Sequence, residues 1–130
     1  MLRQVGKTRD LDKTEFLVKI ARHVEQNTLK AAAGEALGEF KKAPLTVRKE
    51  LFHDVMRELV RVYNLSRTGE SGELQRATFE QRFGAMRDPW NATLQKLSGR
   101  RYSDPHAWRD FWNNHKAANW DKLRGSRAGR

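Results

Sequence analysis

Two carboxylate pairs stand at helical spacing in this chain, Glu35 with Glu39 and Glu50 with Asp54, and such pairs could do acid–base or metal work. In a sequence of 26 Lys and Arg against 16 Asp and Glu, their simpler role is as solvated partners for cations. His23, His53, His106 and His115 lack metal-ligand spacing, with no HExxH and no His pair at i, i+4. His53 precedes Asp54, but adjacent helical residues point apart, so the two are not an oriented dyad. The VGKT at residues 5–8 echoes the end of a phosphate loop yet lacks its first glycine. There is no cysteine, which removes thiol catalysis, thiolate metal sites and disulfides. No catalytic residue, cofactor site or metal site is assigned. The asparagine triplets at residues 64–66 and 91–93 fit the glycosylation pattern, which has meaning only in an exported chain.

What remains is cationic. Arg57 and Arg61 lie at i, i+4 on one helix face, and Arg82, Arg87, Arg100, Arg101 and Arg109 could join them if the helices stack suitably. These seven arginines are the candidate surface for a polyanion or an acidic partner. The charge is uneven: residues 96–130 carry nine basic and three acidic side chains, +6 of a formal net charge of +10. A phosphate backbone could bind such a surface without base readout.

The elements that would carry these groups are helical. Residues 1–11 read as a connector or as the frayed edge of a preceding helix, and Asp12 with Glu15 reads as a capping-box start. Phe16, Leu17, Ile20 and Val24 form the first stripe, and Thr28 caps a second helix. That helix has a small-residue face of Leu29, Ala32, Ala33, Ala36, Leu37 and Phe40. Thr46 caps a third helix with Val47, Leu51, Phe52, Val55, Leu59, Val62 and Tyr63 inward. Residues 64–72 are Ser/Gly-rich and predict a loop. A fourth helix carries Leu74, Phe79, Phe83 and Met86, and Asp88-Pro89 opens a short fifth with Trp90, Leu94 and Leu97. Ser98-Gly99 is a stop signal, and Asp104-Pro105 repeats the start. Trp108, Phe111, Trp112 and His115 then share one face of a last helix, one that must be buried. No segment alternates as a strand would. The fold class is all-α, one domain over residues 1–124 with a basic tail at 125–130.

These residues carry a resemblance. NTLKAAAGEALGEF at residues 27–40 looks like the second helix of a HEAT repeat, and LTVRKELFHDVMRELVRVY resembles a further repeat helix. The ending L-x-K-L-S-G…DP-x-x-W-x-x-F-W-x-x-x-K is similar to a tryptophan-rich closing segment of HEAT-repeat bacterial proteins, with Ser98 for Thr and Phe111 for Trp. The resemblance implies a short right-handed stack of about six antiparallel helices, sealed by Trp90, Leu97, Trp108, Phe111 and Trp112. It implies a non-catalytic protein-interaction or scaffold module, with a nucleic-acid-binding module as the alternative. HEAT-like folds also include DNA-repair glycosylases, but their catalytic acid and aromatic groove map onto no residues here. No apolar run approaches the roughly 20 residues of a membrane span, and residues 1–10 are no signal peptide. A cytoplasmic location is expected unless an export signal has been trimmed.

Overall fold

A computed structural model describes residues 2–68 and 72–122, with side chains from residue 13 onward. The tail expected at 125–130 lies outside the described residues. The protein is all-α: α1 (Leu2–His23), α2 (Asn27–Leu37), a 3-10 turn (Gly38–Phe40), α3 (Leu45–Arg67), α4 (Glu73–Ser98) and α5 (Pro105–His115).

The packing has two layers. α1, α3 and α5 lie side by side in one, α2 and α4 in the other, and each consecutive pair α1–α2 and α3–α4 bridges them. The core is aliphatic along α3, where Leu51, Val55, Leu59 and Val62 are buried, and aromatic where α5 and Trp120 cover the N-terminal half of that helix. There Phe52 is the hub. Its ring lies 5.7 Å from Trp108, 5.7 Å from Phe111, 6.0 Å from Trp112 and 5.1 Å from Trp120. Burying indoles requires partners for their N–H groups. Trp90 donates to the Lys30 carbonyl at 3.3 Å, Trp108 to Asn91 Oδ1 at 2.8 Å, and Trp120 to the His115 carbonyl at 2.8 Å.

Two of the expected boundaries are found in place. Gly99 caps α4 in the left-handed region at φ 79°, and Asp104-Pro105 starts α5. Asp104 caps through position alone, since its side chain makes no capping bond. Other expectations need correcting. The backbone is helical from Leu2, so residues 2–11 are not a connector, and Asp12 and Glu15 lie inside α1 rather than at its start. Gln26 and Pro44 occupy the N-cap positions expected of Thr28 and Thr46. α3 continues to Arg67, four residues into the expected loop.

The largest correction is at Asp88-Pro89. α4 runs unbroken from Glu73 to Ser98 with Pro89 inside it. Proline gives up one helical hydrogen bond and crowds the preceding turn. Here Met86, Trp90, Leu94 and Leu97, all buried, form one stripe across the proline, and their burial outweighs that loss. The inward face of α2 is also rotated from expectation. Lys30, Ala33, Gly34 and Leu37 are buried, whereas Leu29 and Ala32 face out. Phe16 and Leu74, expected inside, are 63% and 84% exposed.

α2 and α4 meet at Gly34. An added Cβ there would stand 2.3 Å from the Trp90 ring, so only glycine admits this approach. Thr93 Oγ1 donates to the Gly34 carbonyl at 2.7 Å across the same crossing. Thr93 and Asn91 are thus buried structural groups, which removes the 91–93 triplet as a glycan acceptor in the folded chain. Arg48, 5% exposed, fastens the opposite end. It donates to the Ala43 and Leu97 carbonyls and, from Nη2 alone, to both carboxylate oxygens of Asp121 at 3.0 and 2.8 Å.

Candidate functional site: an arginine-lined cleft

The C-terminal end of α1, the middle of α3, the first half of α4 and α5 enclose an open cleft of about 890 Å³. Its cations are Arg22, Lys30, Arg57, Arg61, Arg82 and Arg109; its anions are Glu25, Asp54 and Glu58. With histidines neutral the lining carries +3. Four of the seven arginines singled out in the sequence, Arg57, Arg61, Arg82 and Arg109, come together here. Arg87, Arg100 and Arg101 do not. Arg87 lies against its neighbour Asp88 at 3.4 Å, Arg100 sits over the Phe111 ring, and Arg101 is exposed elsewhere. Arg22 and His23, at the end of α1, are site residues that no motif announced.

The cations fall into two groups. Three are committed to the fold. Lys30, 1% exposed, donates to the Ala21 and Arg22 carbonyls at the end of α1 and to Glu58 Oε2 at 2.7 Å. Arg61 grips Glu58 from the cleft side at 2.9 and 2.7 Å. Arg82 holds the α1–α2 turn through Asn27 Oδ1 and the Glu25 carbonyl, with its guanidinium over Phe79. The others are uncommitted: the guanidinium groups of Arg22, Arg57 and Arg109 have no hydrogen-bond or ion-pair partner among the described residues, and all three residues are exposed.

Burial pushes the Glu58 carboxyl up, but the hydrogen bonds and charges of Arg61 and Lys30 together outweigh this and hold it below the ordinary carboxylate range. Burial lowers Lys30, and Glu58 offsets only part of that, while Arg61 and Arg82 add repulsion. The two shifts pull in opposite senses on one ion pair. The short contacts around Glu58 favour its charged form, and that is the direction the geometry supports. A carboxylate so neutralised is a poor proton acceptor.

One wall is aromatic. His53 stacks on Trp112 at 4.6 Å and 20°, and Trp112, half-buried, also stacks on Phe52. Burial lowers the His53 pKa; Arg57 and Lys116 add to this and Asp54 opposes it. His53 therefore binds fewer protons folded than unfolded just below its ordinary value of about 6.5. Stability is expected to be flat above that pH and to fall as pH drops from there through the lowered folded pKa. Urea midpoints between pH 7.5 and 5 check this, and His53→Gln should flatten that limb. Protonation should also quench Trp112, and an unchanged emission over the same range would contradict the stacking.

No group of three or more His, Asp or Glu suited to a metal ion occurs among the described residues. No helix among them is long and apolar enough to cross a membrane. The fold and cleft together define an all-α helical protein with a basic, aromatic-walled concavity. Comparison with known protein families, with curated proteins and with solved structures finds no match for this chain.

Proposed function

We propose that the chain is a non-catalytic, HEAT-like protein-interaction module that holds an acidic segment of a partner protein in the arginine-lined cleft. The observation that carries this reading is the set of uncommitted guanidinium groups, Arg22, Arg57 and Arg109, placed on neighbouring helices α1, α3 and α5 around one concavity. Stacked helical pairs that contact only their neighbours present such surfaces as rigid units. The non-catalytic part rests on Glu58 being tied to two cations and on His53 receiving no orienting bond from Asp54 among the described residues. Met56, Val60, Phe79 and Trp112 in the lining give a partner apolar contact beside the charge.

The test is a titration of the protein with a glutamate-rich peptide and with random duplex and single-stranded DNA, each through rising salt. The peptide is expected to bind, to lose affinity with Arg57→Glu, and to lose only part of it in salt. Steep collapse with salt, together with preference for DNA, would move the assignment to the nucleic-acid alternative. The net charge of +10 favours that alternative. The position of Arg87, Arg100 and Arg101 away from the cleft disfavours it, because a duplex needs an extended cationic track.

A further inference from the structure

Within that reading, on which this inference rests, we infer that the cleft is built for a phosphate monoester carried on a protein side chain. Three features point from carboxylate to phosphate. The uncommitted donors are all guanidinium forks: Arg22, Arg57 and Arg109 come from three different helices. A planar carboxylate offers two oxygens, and one fork can engage both, as Arg61 does those of Glu58. A tetrahedral phosphate offers three acceptor oxygens and close to two negative charges, and so engages donors from several directions.

Second, the cleft already contains carboxylates that its free arginines leave alone. Asp54 lies three residues before Arg57 on α3 and forms no ion pair with it among the described residues. Glu25 also lines the cleft, and its side chain forms no ion pair among the described residues. The excess of +3 is therefore left for a ligand rather than neutralised inside the fold. Third, the concavity is bounded by the committed residues: the Glu58–Arg61 fork, Arg82 and the His53–Trp112 stack form fixed walls. These walls lose little conformational entropy on binding, so the ordering cost falls on the three free arginine side chains. The stacked rings supply a surface for the methylenes or ring of the phosphorylated residue.

The experiment uses the full chain and four probes: a short neutral peptide with one phosphoserine, the same peptide with serine, the same with glutamate, and inorganic phosphate. Binding is read by calorimetry and from the change in tryptophan fluorescence that Trp112→Phe removes. The phosphopeptide is expected to bind at least about tenfold more tightly than the glutamate peptide, with the serine peptide weaker still. Arg57→Gln and Arg109→Gln should each weaken the phosphopeptide about tenfold or more, while Arg101→Gln changes nothing. Arg57→Lys, which keeps the charge and loses the fork, should fall near Arg57→Gln. Inorganic phosphate bound as tightly as the phosphopeptide would show a site for the free ion and overturn the side-chain assignment. Glutamate and phosphoserine peptides bound equally, both lost with Arg57→Gln, would overturn the phosphate inference and leave the acidic-segment reading standing. No binding of either peptide would overturn both.

Discussion

Gly34→Ala is expected to lower stability by about 2–3 kcal/mol, even though alanine adds up to about 1 kcal/mol of helix propensity at an interior position. The added methyl carbon would stand 2.3 Å from the Trp90 ring, far inside contact distance, and that indole is fully buried with nowhere to move. Relief requires α2 and α4 to separate. Separation in turn stretches the Thr93 bond to the Gly34 carbonyl and the Trp90 bond to the Lys30 carbonyl. Urea denaturation followed by circular dichroism measures the loss. Combining Gly34→Ala with Trp90→Phe should cost less than the sum of the two, because the smaller ring vacates the space; strict additivity would refute the steric account.

Glu58→Ala is expected to cost more, about 3–5 kcal/mol, because it leaves Lys30 buried and unpaired. Most of that is the penalty of an orphaned charge rather than the net worth of the pair. The double variant Lys30→Met, Glu58→Leu should therefore recover most of the loss. If the double variant is as unstable as Glu58→Ala, the carbonyl bonds that Lys30 makes to the end of α1 are the larger contribution. Acid provides an independent check. With its folded pKa held below the ordinary carboxylate range, Glu58 contributes stability that is complete above that range. The contribution is lost as pH falls through the lowered folded pKa, and Glu58→Ala should lack that acid-sensitive part.

Lys30 also shows where sequence reasoning stops. On a helix of alanines a lysine reads as the solvent face, and only the arrival of Glu58 from α3 and the free carbonyls of α1 turns it inward. The same rotation exposes Leu29 and Ala32. The helical character of α2, α4 and α5 and of most of α1 and α3, the stop at Gly99 and the aromatic face of α5 were legible because each is a local signal of capping or periodicity. Asp88-Pro89 and Asp104-Pro105 carry the same local signal and do opposite things. What separates them is the stripe from Met86 to Leu97 that continues across Pro89, a pattern visible in the sequence once it is followed beyond the break. Four arginines of the cleft could be named in advance, but not the contribution of α1, since the position of its C-terminal turn depends on Lys30.

The Phe52 hub has a consequence for the order in which the chain matures. All four of its ring partners lie between residues 108 and 120, on the far side of α4. During synthesis α1 to α4 can pair and stack while the ring of Phe52 stays uncovered, until the closing helix leaves the ribosome. For that interval the nascent stack carries an adhesive aromatic edge. Arg48, lodged between the Leu97 carbonyl and Asp121, is the clasp that shuts it.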